Sequence, residues 1–143
     1  MNSESVPRIG SVVETVLYVD DLARGVAFYR DLLGLKPVTG DGERFQAFAV
    51  APGSVLLLFR RGGTLSAVPA PRGMIPPHDG QGPLHVGFGI GEDAYEAWKA
   101  RLQEKGVAVE SEAGWKRGGR SLYFRDPDGH LVELITPGIW ENY

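Results

Sequence analysis

The chain repeats itself, and the repeat narrows the possible folds more than any single motif. Val12 to Val19 reads as a strand and Asp20-Asp21 as a helix-start signal. Leu22 to Leu33 then reads as an amphipathic helix with Val26, Tyr29 and Leu33 at helical spacing, closed by Gly34. Short strands are predicted at Lys36 to Thr39, Arg44 to Val50 and Ser54 to Phe59, divided by Gly40-Asp41-Gly42 and Ala51-Pro52-Gly53. The same order returns later. Leu84 to Ile90 reads as a strand, and Glu92 to Lys105 as a helix with Ala94, Trp98 and Leu102 on one face, closed by Gly106. Val107 to Glu110, Ser121 to Arg125 and Leu131 to Thr136 supply three more strands. Two βαβββ modules, about 12–60 and 84–137, thus make one domain of 143 residues. The joining stretch 61–83 is rich in Gly and Pro, with Pro69-Ala70-Pro71 and Pro76-Pro77, and is expected to be irregular.

The duplication sets residues over one another. Glu14-Thr-Val-Leu-Tyr-Val19 falls on His85-Val-Gly-Phe-Gly-Ile90, so Glu14 and His85 hold equivalent first-strand positions. Leu56-Leu57-Leu58-Phe59 falls on Val132-Glu133-Leu134-Ile135, which makes Leu57 the counterpart of Glu133. Strand parity puts His85 on one face with Gly87 and Gly89, small neighbours that leave space beside it. If the halves pair about a pseudo-twofold axis, Glu14, Leu57, His85 and Glu133 converge in one cleft. Glu133 is the anomaly of the set. Its strand has the length and bounding turns of a buried one, where a carboxylate is costly unless paired or bound to a cation. Either an arginine such as Arg120 or Arg125 or a metal ion would answer that cost.

Composition removes several alternatives. A formal net charge of -3 offers no basic footprint for nucleic acid. No apolar run is long enough to span a bilayer, and Met1-Asn2-Ser3-Glu4-Ser5 lacks the blocks of a signal peptide, so a cytoplasmic location is expected. With no cysteine, disulfides, thiolate nucleophiles and thiolate-held metals are excluded, and any metal must use histidine and carboxylate.

The duplicated pattern, Val19-Asp20-Asp21-Leu22 leading to Phe28-Tyr29 and Leu33-Gly34-Leu35, and Tyr123-Phe124-Arg125-Asp126-Pro127-Asp128-Gly129 before Leu131-Val132-Glu133-Leu134 together resemble the vicinal-oxygen-chelate superfamily, from roughly Val12 to Pro137. That superfamily includes glyoxalase I, extradiol dioxygenases, fosfomycin-resistance enzymes and bleomycin-binding proteins. The resemblance implies an α+β fold whose two modules form an incurved mixed sheet with a central cleft. It also implies a divalent metal held by first-strand and last-strand residues. Carried over by position, His85 and Glu133 match the usual ligands. Glu14 stands where His or Gln is most frequent, and Leu57 where four-ligand members have Glu or Gln. Glu14, His85 and Glu133 form an oxygen-rich donor set suited to Mn²⁺, Mg²⁺, Fe²⁺, Ni²⁺ or Zn²⁺, with positions left for a bidentate substrate. A single His argues against a dioxygenase iron site.

The implied activity is a metal-dependent isomerase, lyase or transferase acting on a small, oxygen-chelating, anionic substrate, with Glu133 or Glu14 as base. Ser121 and Tyr123 match positions that hold the phosphonate in fosfomycin-resistance enzymes, and Arg120, Arg117 and Lys116 bring positive charge to that side. Leu57 would line the substrate site. The alternative is a metal-free, drug-sequestering protein of the bleomycin-resistance type, which Leu57 and Glu14 favour. Other residues read more plainly: His130 as a turn-exit residue, His78 as a solvated loop residue rather than a lid contact, and Trp115 and Trp140 as packing. The aromatic tail from Pro137 to Tyr143 suggests docking on a second subunit, and a homodimer is expected.

Overall fold

The computed structural model describes residues 5–143. Strand β1 (Glu14–Val19) leads to helix α1 (Leu22–Ala27), whose first turn is capped by the Asp21 carboxylate accepting from the Arg24 amide at 3.1 Å. The helix widens into a π-type turn at Phe28–Leu32 and stops at Gly34, whose φ of 71° is the left-handed conformation that ends helices. Strands β2 (Lys36–Gly40), β3 (Phe45–Ala51) and β4 (Ser54–Arg60) complete the first module. A small hairpin, β5 (Val68–Ala70) and β6 (Gly73–Ile75), precedes the second. There β7 (His85–Gly89) is followed by a 3₁₀ turn at Glu92–Ala94 and helix α2 (Tyr95–Glu104). Strands β8 (Ser111–Gly114), β9 (Arg120–Arg125) and β10 (Leu131–Ile135) follow.

The two modules are built alike. Their sheets run β1-β4-β3-β2 and β7-β10-β9-β8, each with its first and last strands paired parallel and the rest antiparallel. Alternate residues of each sheet face the helices. Leu17, Val19, Leu56 and Leu58 from the first meet Val86, Leu122, Phe124, Val132 and Leu134 from the second around Tyr29, Leu32, Leu33, Tyr95 and Leu102, in one buried cluster. The α+β class and the two mixed-sheet modules are as expected, and the modules form two four-stranded sheets, each presenting its opposite face away from the shared core.

Buried polar groups lock the modules together. Tyr29 donates its hydroxyl to Asp126 at 2.8 Å, and the other Asp126 oxygen accepts the amides of Asp128 and His130. Burial, reinforced by the Asp126 charge, pushes the Tyr29 phenol far above its ordinary value. Arg101 reaches from α2 to the carbonyls of Asp31 and Leu32, which the end of the π turn leaves without partners. His130 is fully buried. Its Nδ1 accepts the Leu84 amide at 2.8 Å and its Nε2 donates to the Tyr18 carbonyl at 2.6 Å, tying the start of β7 to the end of β1. The turn-exit reading of His130 therefore understates it.

Two further expectations need correction. The strand predicted at Val107 to Glu110 forms four residues later, as β8. Cross-strand pairing with β9 begins where Ser111 meets Tyr123, and Val107 to Glu110 only lead the chain there from the helix. The stretch 61–83 is not wholly irregular. Pro69 is accepted in β5 because both strands of this isolated hairpin are edges with unpaired sides. Among the described residues, no helix is long and apolar enough to cross a membrane.

Candidate functional site

Each module opens a cleft on the face turned away from the core. In the second module, β10 places Glu133 beside Gly87 of β7 and Tyr123 of β9. Glu133 is 7% exposed, and its two carboxylate oxygens have separate duties. Oε2 accepts the Ser121 hydroxyl at 2.5 Å and the Tyr123 hydroxyl at 3.2 Å. Oε1 faces His85 Nε2 at 3.2 Å. Ser121 is itself fully buried and accepts the Trp115 indole N–H at 3.0 Å, so a line of hydrogen bonds runs Trp115, Ser121, Glu133. Burial, with the Glu133 charge adding to it against the opposing Ser121 hydrogen bond, raises the Tyr123 phenol above its ordinary value and keeps it a donor.

His85 is oriented from behind. Its Nδ1 lies 3.0 Å from the Leu131 carbonyl, an acceptor only, so Nδ1 carries a proton and Nε2 is the nitrogen that faces Glu133. An imidazole lone pair and a carboxylate oxygen 3.2 Å apart are two acceptors that need a cation between them, either a proton or a metal ion. Donor atoms adjacent in the shell of a cation at about 2.1 Å lie about 3 Å apart, so the pair fits as two neighbouring ligands. The surrounding cleft, about 390 Å³, is lined by His85, Gly87, Gly89, Glu133, Ile135, Trp140 and Tyr143.

The first module's cleft is larger and different in kind. About 730 Å³ is enclosed by Glu14, Val16, Tyr18, Arg44, Phe45, Leu57, Phe59, Ile75, His78 and Asp79. Glu14 and Leu57 therefore line this cleft, whereas His85 and Glu133 line the other. Among the described residues of one chain, no three His, Asp or Glu side chains gather as a metal site. The expected convergence of Glu14, Leu57, His85 and Glu133 in one cleft does not occur within a single chain, because the shared core lies between the two faces.

A model of the glyoxalase/bleomycin resistance protein/dioxygenase superfamily matches residues 8–134. The chain belongs to this superfamily. It is 32% identical over 127 residues to glutathione transferase FosA of Serratia marcescens, covering 87% of this chain and 79% of that one. It is 31% identical over 128 residues to metallothiol transferase FosB of Shouchella clausii, covering 87% and 78%. Among solved structures, a lactoylglutathione lyase from Agrobacterium tumefaciens superimposes with a TM-score of 0.84 at 32% identity, covering 94% of this chain and 99% of that one.

Several residues of this superfamily member fall elsewhere than predicted. Arg120 shares parity with Leu122 and Phe124 and turns to the helix side, stacked 3.9 Å above the Tyr95 ring and paired with Glu96 at 3.2 Å. Arg125 pairs with Glu110, so neither arginine neutralises Glu133. Ser121 has no surface for substrate, since its hydroxyl already serves Glu133 and Trp115. Trp115 is part of the site's support and not plain packing. The tail docks on its own chain, with the Tyr143 hydroxyl donating to the Ile135 carbonyl at 3.1 Å. His78 is no free loop residue. Its backbone exchanges two hydrogen bonds with the buried Thr64, its Nδ1 bonds the Tyr18 hydroxyl, and its ring meets Phe59 edge-on at 4.8 Å. Parity with Glu14 and Leu57 would have found Tyr18 and Phe59. His78 and Arg44 reach the cleft from loops, where no strand parity marks them.

Proposed function

We propose that the chain is a divalent-metal-dependent enzyme of the glyoxalase type. In this reading His85 and Glu133 of one copy and Glu14 of a second copy hold the metal between them. The observation that carries it is the His85–Glu133 pair, a buried carboxylate with one oxygen fixed by two hydroxyls and the other aimed at the imidazole Nε2. Kinship with thiol transferases and with a lactoylglutathione lyase supports the same chemistry. Two copies are required because each chain holds Glu14 on one face and the His85–Glu133 pair on another.

A bound metal would act as a Lewis acid on two neighbouring substrate oxygens. The chain's own residues prepare that site. Ser121 and Tyr123 hold Glu133 Oε2, so the carboxylate cannot rotate, while the Leu131 carbonyl fixes the His85 ring. Glu14 is exposed and makes no side-chain hydrogen bond among the described residues, which leaves its carboxylate free to take a proton from the substrate. The substrate is small and anionic, and the reaction an isomerisation, a lyase step or a group transfer.

The test is metal analysis after chelation and reconstitution with Mn²⁺, Ni²⁺ and Zn²⁺. About one equivalent per chain, lost in Glu133→Ala, is expected; less than about a tenth of an equivalent with every ion sinks the reading.

A further inference from the structure

We infer that the first-module cleft is a binding site for the anionic end of a substrate with a flat apolar body, in which the Arg44 guanidinium receives the anion and the Phe45 and Phe59 rings receive the body. This rests on the reading that Glu14 marks the reacting end of the cleft, and it moves the anion site from the second module, where Arg120 was expected to serve, to the first.

Arg44 is a cation with its donors unspent. None of its side-chain N–H groups makes a hydrogen bond to the described residues, and the nearest carboxylate oxygen, on Asp41, is 3.8 Å away. Asp41 does not need it, because its other oxygen accepts the backbone amides of Glu43, Arg44 and Phe45 at 3.0, 2.7 and 3.1 Å. The guanidinium is nonetheless held in place. It lies 5.5 Å from the Phe45 ring centroid and 5.7 Å from that of Phe59, and its stem runs so close to Gly63 that a Cβ there would sit 3.0 Å from Arg44 Cγ. A fixed guanidinium with free donors at the wall of a cleft is the arrangement that recognises carboxylates and phosphonates.

The rest of the cleft is apolar and aromatic. Phe45 and Phe59 stack with centroids 5.8 Å apart, and Val16, Leu57 and Ile75 continue the wall. His78 flanks the opposite side of the group, its ring 4.8 Å from the Phe59 centroid and its Nδ1 taken by the Tyr18 hydroxyl, so that Nε2 is the nitrogen without a partner among the described residues. Gly80 lets the loop lie directly on the Tyr18 ring, where any Cβ would overlap it. These contacts make a preformed wall of what would otherwise be a Pro-rich loop.

The strand also sets a length. Val55 is level with Glu14, Leu57 with Val16, and Phe59 with Tyr18, so the aromatic end stands four residues along β1 from Glu14, roughly 13 Å at about 3.3 Å per residue. A ligand spanning both ends carries its anion at a distance from its reacting oxygens, with an apolar segment over Val16 and Leu57.

Isothermal titration on chelator-treated full-length protein tests this without the metal. Phenylphosphonate is expected to bind one per chain. Methylphosphonate, which lacks the ring, and benzyl alcohol, which lacks the charge, are each expected to bind at least about tenfold more weakly. Arg44→Gln should weaken phenylphosphonate at least about tenfold, Arg44→Lys should recover part of the loss, and Arg120→Gln should change nothing. Should Arg44→Gln prove unfolded, Phe59→Leu replaces it with the same expected loss, and amide shift perturbations on phenylphosphonate addition should be confined to the 41–45 turn and the start of β3, to β1 and β4, and to the 76–80 loop. Equal binding of the two phosphonates, an unaffected Arg44→Gln, shift perturbations centred on β7 and β10, or an Arg120→Gln as weak as Arg44→Gln overturns the assignment. Because no metal is present, a protein that fails metal reconstitution can still pass this test, and the reverse.

Discussion

The two clefts of this protein are copies of one design with different linings. Register pairs them row by row: Glu14 and Val55 correspond to His85 and Leu131, Val16 and Leu57 to Gly87 and Glu133, and Tyr18 and Phe59 to Gly89 and Ile135. On the neighbouring strand, Ala47 and Phe45 answer to Tyr123 and Ser121. Where the second module has a carboxylate ringed by hydroxyls, the first has leucine among aromatic rings. The polar copy is braced: Glu133 is held by Ser121 and Tyr123, with Trp115 behind. The apolar copy is braced by packing, with Phe45, Phe59, Tyr18 and His78 touching in sequence. Duplication supplied two equivalent walls, and divergence left one lined with ionic and hydroxyl side chains and the other with aromatic and aliphatic ones.

The largest effect is expected where the copies are joined. The His130 ring bonds backbone at the edge of both first strands, at Leu84 and at Tyr18. His130→Ala leaves a partly buried amide and a buried carbonyl unpaired and empties the space of a ring, for a loss of about 4 kcal/mol in unfolding free energy. Urea denaturation reads it directly. A loss below about 1 kcal/mol would show that the modules are held by the shared apolar core alone.

A smaller effect is expected at Ser121, which distinguishes the braced carboxylate from its leucine counterpart. Ser121→Ala keeps the volume and removes the donor at 2.5 Å, so Glu133 Oε2 retains only Tyr123. Metal affinity should fall by about 10- to 100-fold while the fold persists, as for other groups that orient a ligand without touching the metal. Competition titration with a chelating dye measures it. An unchanged affinity would mean that Glu133 is placed by its strand and not by its hydroxyl neighbours.

How much of this is legible in the sequence follows from which residues obey strand periodicity. The equivalence of Glu14 with His85 and of Leu57 with Glu133 rests on alternation along paired strands, and the register reproduces it. Periodicity says which face a residue joins but not which way the two faces turn. Both helices lie in one core between the sheets, and that choice separates Glu14 from His85, although either choice is compatible with the sequence pattern. Arg120 shows the same limit at smaller scale. Parity with Leu122 and Phe124 already assigns it to the helix side, and its positive charge carries no information about which face it joins. His78 and Arg44 reach their positions through a Thr64 backbone pairing and an Asp41 turn, long-range and local devices that leave no periodic trace.

The smallest effect is expected at the tail, where the copies differ in the source of an aromatic ring. The first module grows Tyr18 from its own strand. The second has Gly89 at that place, and the Tyr143 ring from the C-terminus lies over it, so close that a Cβ on Gly89 would overlap the hydroxyl. Tyr143 is half exposed and offers one hydrogen bond to Ile135, so Tyr143→Ala should cost no more than about 1 kcal/mol. Gly89→Ala should cost a similar amount by expelling the ring. In combination the two should not add, since with the ring gone an alanine is better suited than glycine to a strand. Thermal melts of the two single variants and the double variant complete the cycle. Strict additivity would show that Gly89 is required by the strand itself, and that the tail does not stand in for Tyr18.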